Sequence, residues 1–218
     1  AYTQPSAVPG GRAVIRDKLN GASVPDAAVG GTITNLCPGG SSFIWNQWGN
    51  LSFPGAKDFN IQNQTDVADW PCFAKYYVTF PLDQVPAGKV VLSANLTLYE
   101  WGGSDQNLAT PSLIQALVVE GDWNENTLTW NNGPRPLENV SQTWVDVFRD
   151  VKINWPGKAY NWDMSYAVAK ALAAGQPLRL ALYASDSDYH SGKYFTSSNA
   201  DDWDAEGRPT LTVNWGNP

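Results

Sequence analysis

YYVTFPLDQVPAGKVVLSANLTLYEW, residues 76–101, sets two runs of strand-forming residues on either side of one turn. Pro86 presets the turn's φ and Gly88 supplies a residue free to take positive φ. Beyond the turn the side chains alternate. Ala94, Leu96 and Leu98 fall on one face, and Ser93, Asn95, Thr97 and Tyr99 on the other, which is the period of a strand with one face in a core. Asn95 opens the sequon Asn95-Leu96-Thr97, and a glycan needs solvent, so the modification motif and the alternation agree on which face is outward. The chain's last run behaves in the same way, with Leu211, Val213 and Trp215 expected inward and Thr210, Thr212 and Asn214 outward.

Working outward, runs at 12–18, 73–80, 90–100, 112–119, 143–148, 178–184, 193–197 and 209–215 are each bounded by turn residues. Short runs at this spacing predict an all-β fold, an antiparallel, jelly-roll-like β-sandwich, and 218 residues suit a single domain over 1–218. One short helix is expected. Asp163 caps it, Met164, Ala167, Val168, Ala171 and Leu172 recur at helical spacing, Gly175 stops it and Pro177 follows. Residues 1–11 read as an arm. From Gly30 to Pro71 the text is Gly, Asn, Ser and aromatic residues, a long insertion with extended pieces near 32–36 and 41–46.

The formal net charge of −7 disfavours nucleic acid and anionic lipid, both of which select clustered Lys and Arg. No run reaches the 18 or so apolar residues of a membrane span, and the N-terminal text has no leader character, so a secreted, extracellular chain with its leader removed is expected, as a monomer. Sequons at Asn50, Asn63, Asn95 and Asn139 point to the same compartment. There Cys37 and Cys72 are expected to form a disulfide closing the insertion, which removes roughly 4 kcal/mol of unfolded-chain entropy in the loop-closure picture.

Eleven tryptophans are the largest chemical signal, because flat rings stack on the apolar faces of sugars. Trp123, Trp130, Trp162 and Trp215 are read as packing residues. Trp45, Trp48, Trp101, Trp155 and Trp203 are the expected ligand contacts, with Trp70 a sixth ring of the same type and loop packing the alternative for each. Asp186 and Asp188, with Asp201, Asp202 and Asp204, lie in two loops around one strand. Asp186, Asp188 and Asp202 could hold a structural calcium, which takes oxygen ligands, against the alternative of solvated turns; no other cofactor is required. Catalysis has less to build from. A single histidine excludes multi-histidine metal sites, while Tyr189, His190, Lys193 and Arg208 offer the base and charge-neutralising groups of a uronate lyase, and no carboxylate pair has a spacing that marks a glycoside hydrolase.

Several pieces occur in a recognisable order: Phe80 and Leu82, Pro86 to Gly88, Ser93 to Tyr99, then Trp123, Glu125 and Thr129 to Pro134, and last Arg208 to Val213. Over about 76–215 this pattern resembles the DNRLRE-type domain, carbohydrate-binding module family 96; the first 75 residues fit it poorly. The resemblance implies a secreted β-sandwich that binds a cell-wall polysaccharide. A polysaccharide-degrading enzyme and a structural wall or adhesion protein are the alternatives. It also implies alginate among the ligands, whereas the acidic charge argues for a neutral glucan, mannan or xylan.

Overall fold

The computed structural model describes residues 8–31, 49–63, 73–104, 107–149, 155–188 and 190–218. Among them run eleven strands, β1 (Val8–Ile15), β2 (Asp26–Gly30), β3 (Asp58–Asn63), β4 (Phe73–Phe80), β5 (Val90–Gly103), β6 (Ser112–Val119), β7 (Pro136–Val145), β8 (Lys158–Asp163), β9 (Leu178–Ala184), β10 (Lys193–Thr196) and β11 (Thr210–Asn217). One α-helix, α1 (Ser165–Ala173), lies between β8 and β9. The pairings between these strands are antiparallel, in the order β1-β11-β5-β10-β3-β4-β9-β6-β7, with β2 beside β4 and β8 beside β5.

Two strands decide the shape. β5 is long enough for three partners: β11 and then β10 follow one another along one edge, while β8 takes the other edge from Asn95 to Glu100. β3 bonds β10 over Asp58 to Ile61 and then β4 at Gln62 and Asn63, so the sheet continues around a corner as a curled half-barrel. Its inner face buries Phe59, Ile61, Tyr76, Val78, Leu96, Leu98, Ile114, Leu180, Leu182, Phe195 and Leu211 in one core. Inside it the Phe59 and Tyr76 rings stack at 3.5 Å.

The alternation predicted for β5 holds. Ala94, Leu96 and Leu98 are buried and the residues between them are half-buried, and the inward phase continues to Glu100. In β11 it holds for Leu211 and Val213 and then fails, because a register shift after Asn214 changes the phase. Trp215 is therefore half-buried instead of fully inward, its ring lying where a Cβ on Gly10 or Gly11 would be, 2.4 Å away. The N-cap position falls on Met164, which makes no side-chain cap bond, rather than on the expected Asp163; from one residue earlier Asp163 Oδ1 accepts the Ser165 N–H at 2.9 Å. At the other end the Gly175 and Gln176 N–H groups bond Leu172 O and Ala171 O, with Gly175 at φ 63, a Schellman ending.

Other boundaries differ from expectation. β1 begins at Val8, within the stretch expected to be an arm, and β7 spans Pro136–Val145 where 143–148 was predicted. β7 pairs β6 with two register shifts, which blur its periodicity. β2, β3 and β8 were not anticipated as strands. β8, KAYNWD, buries only Tyr160 and Trp162 between more exposed neighbours, a pattern too short to stand out. The connection between β6 and β7 folds over the outer face of the half-barrel. There Trp123 and Trp130 pack with Ala27, Val29, Tyr77, Leu128 and Ala181, which accounts for their place in the motif. Cys37, Cys72, Trp45, Trp48, Trp70, Tyr189 and the extended pieces expected at 32–36 and 41–46 lie outside the described residues.

Candidate aromatic cleft

Three of the five tryptophans expected to contact ligand converge on one cleft. Trp101, Trp155 and Trp203 line a depression of about 270 Å³ together with Lys57, Asp58, Thr196, Asp201 and Asp204. Each ring is delivered by an identifiable local feature. In the β5–β10 ladder Tyr194 pairs Gly102 but Phe195 pairs Glu100, so Trp101 is the extra residue of a bulge and is released from the ladder's alternation. Its ring meets Tyr194 at 5.8 Å.

Trp155 precedes the turn into β8. Gly157 there has φ 119, and a Cβ on it would lie 2.3 Å from Glu100 O and 3.5 Å from the Trp101 Cα. Only glycine allows this turn to press against the bulge, and that contact brings Trp155 to the cleft. Trp203 belongs to a short 3-10 segment, Asp202–Gly207, and its ring lies 5.0 Å from that of Trp155 at 33°. Trp203 is 72 % exposed and Trp155 48 %, an unusual amount of indole left in water unless it has a ligand.

Arg208 holds the Trp203 segment. Though 2 % exposed, its guanidinium donates through Nε and Nη2 to Ala200 O at 3.1 and 2.6 Å, to Asp202 Oδ1 at 2.6 Å and to Asp17 O at 3.4 Å. Lys18 bonds the same Asp202 oxygen at 2.8 Å, and hydrogen bonds from Lys18 and Arg208 lower the Asp202 carboxyl to about 2.

The cleft's charges are mostly acidic. Lys57 Nζ is held by Asp201 Oδ2 at 2.7 Å, and that hydrogen bond lowers the Asp201 pKa. Asp58 is half-buried, burial raises its carboxyl, and its carboxylate makes no hydrogen bond or ion pair with a described residue. Asp204 is 3 % exposed and also raised by burial. Trp155 and Thr196 lie close enough to favour its charged form, while its buried Oδ1 has no partner of hydrogen-bond geometry among the described residues. Sugar hydroxyls can donate to the accessible carboxylates, Asp58 and Asp201, while the ring faces stack on indoles, so the arrangement has both halves of a glycan site.

The remaining expected site residues sit elsewhere. Asp186 Oδ2 accepts from Ser112 Oγ and the Leu113 N–H, Asp188 is exposed, and Asp202 is committed to Lys18 and Arg208. Among the described residues no group of three or more His, Cys, Asp or Glu is placed to hold a metal ion. Lys193 is buried and donates to Thr110 O and Ser191 O, and burial lowers its pKa to about 8. His190 takes φ 58 and accepts the Thr110 N–H at its carbonyl. Neither Lys193, His190 nor Arg208 lines the cleft. A larger groove of about 660 Å³, between the β4–β5 connection and the end of α1, is lined by Leu82, Val85, Leu172 and Pro177 without an aromatic ring.

Sequence reasoning passed over Trp144, 59 % exposed on β7, and Asp58, whose strand it did not anticipate. For Trp144 a signal existed: it precedes the buried Val145 on the strand, so period 2 makes it outward. Asn139 is exposed on β7 and Asn50 is exposed, whereas Asn95 Nδ2 donates to Asn161 Oδ1 at 2.6 Å and Asn63 Oδ1 accepts the Tyr183 hydroxyl. Among the described residues no helix is long and apolar enough to cross a membrane.

Comparison with curated proteins gives no match. The family comparison does: the model of carbohydrate-binding module family 96 matches residues 34–214, reaching some 40 residues further towards the N-terminus than the motifs alone, and the chain belongs to that family.

Proposed function

We propose that this protein is a secreted module that binds a cell-wall polysaccharide by stacking its sugar rings on Trp101, Trp155 and Trp203. The observation that carries the reading is the convergence of three separately positioned indoles, two of them exposed, on a cleft lined by Asp58, Asp201 and Asp204. Membership of a carbohydrate-binding family supports the ligand class. With it go the finer expectations of a jelly-roll-like sandwich, a Cys37–Cys72 disulfide and glycosylation at the four sequons, which the secretory reading unites.

Affinity electrophoresis over a panel of neutral, acidic and amine-bearing polysaccharides, with parallel thermal melts, tests this. Trp155→Ala and Trp203→Ala should each lose binding at least tenfold while Tm stays within about 2 °C, since an exposed ring adds affinity and little core. Unchanged retardation in both variants would place the binding surface elsewhere, with the exposed Trp144 next to be tested. Release of unsaturated uronate products that ceases on His190→Ala would instead make the chain a lyase.

A further inference from the structure

The cleft's charge balance narrows the ligand further. Three acids line it against one base, and that base, Lys57, is already neutralised by Asp201 at 2.7 Å. Asp58, half-buried at the cleft, makes no hydrogen bond or ion pair with another described residue, whereas Asp204 is buried beside Trp155, Thr196 and Arg208. A desolvated carboxylate lacking a counter-charge is costly, and a bound cation would relieve the cost. The three indoles beside it attract the same kind of group, because an aromatic face is the negative end of a ring's quadrupole and rings grouped around a cavity form cages for ammonium ions. A uronate would meet the reverse situation, its carboxylate set beside Asp58 and Asp201 with Lys57, the one cation among the described lining residues, engaged.

Resting on the reading of the cleft as the glycan site, we propose that its preferred ligand is a polysaccharide carrying free amines, a de-N-acetylated hexosamine polymer, whose ammonium groups pair with Asp58 beside Trp101, Trp155 and Trp203. Acetylation of the amine would remove the charge and add bulk at the Asp58 carboxylate. Neutral hexose polymers would keep the stacking and lose the ion pair.

Calorimetric titration with glucosamine, N-acetylglucosamine and glucose hexamers, at a pH where the amines are protonated, tests the proposal on the whole chain. The glucosamine hexamer should bind about tenfold or more tightly than the other two. Asp58→Asn should abolish that preference and leave weak, equal binding of all three. Asp83→Asn, an exposed acid outside the cleft, should keep the preference, which separates a specific pair from general attraction between a polycation and a chain of charge −7. Equal or weaker binding of the glucosamine hexamer by the wild-type chain overturns the proposal whatever the variants do, as does a preference that survives Asp58→Asn or falls equally in Asp83→Asn. Wild-type binding of neutral hexamers that disappears in Trp203→Ala would leave the cleft reading standing while the amine proposal fails. Binding of every hexamer unaffected by Trp203→Ala would remove both.

Discussion

Arg208 donates to Asp202 at 2.6 Å from a buried position, and Asp202 is the residue immediately before the exposed Trp203. The motif arginine at the head of β11 is thus a positioning residue. It ties the backbone at Ala200 and the first side chain of the 3-10 segment to the start of the last strand. A charge-neutralising role in lyase chemistry, which the residue type alone allowed, is at odds with a guanidinium spent on Ala200, Asp202 and Asp17.

Arg208→Lys should lower stability on the order of 2 kcal/mol, a Tm drop of about 4–8 °C, because one ammonium cannot span partners that a planar fork reaches together. Glycan affinity should fall in the same variant as Trp203 loses its fixed place. A variant with the lower Tm and unaltered affinity would show that the ring is held by other contacts.

Gly157→Ala meets Glu100 O at 2.3 Å and a φ of 119, both unfavourable for a side chain. The expected cost is about 1–3 kcal/mol, with Trp155 displaced and binding weakened at least as much as in Trp155→Ala. Near-ultraviolet circular dichroism should lose the signal of the Trp155–Trp203 pair. Normal binding in this variant would argue against the turn as the delivery device.

Trp130 tests the opposite expectation. Its ring packs against Phe73 and Tyr183 and carries Lys75 Nζ 3.9 Å above it, on the outer face away from the cleft lining. Trp130→Ala should cost roughly 3 kcal/mol by equilibrium denaturation, while any folded fraction keeps its affinity for glycan.

Asp26 gives a pH dependence. Buried beneath the sheet, it accepts from Tyr76 OH at 2.5 Å, the Ser198 N–H at 2.6 Å and Asn199 Nδ2 at 2.9 Å, and burial still raises its carboxyl from 3.8 to about 7. The folded chain then binds more protons than the unfolded chain between about 4 and about 7, so this group's contribution is greatest below pH 4 and is lost as pH rises towards 7. Burial raises Glu100 to about 8, which has the same sign over its own window. Denaturation midpoints measured across this range should fall with pH in the wild type and fall less steeply in Asp26→Asn. Parallel slopes would show that Asp26 stays ionised when buried.

The antiparallel β class, the buried residues of β5, the glycine that ends α1 and the family were legible in the sequence, because each rests on local chemistry. Two-residue periodicity and a glycine at positive φ act within a few residues of themselves. The sequence also named Trp101, Trp155 and Trp203, by residue type. Only the tertiary structure brought them together. Residue 101 and residue 203 share a cleft because β10 lies between β5 and β3, because a bulge frees Trp101 and because Gly157 lets a distant turn lie on Glu100. The sequence likewise could not separate Asp202, bound by Lys18 and Arg208, from Asp58, which lines the cleft and has no hydrogen bond or ion pair with another described residue. The two acids are the same residue type, and what distinguishes them is the charge that long-range packing places beside each.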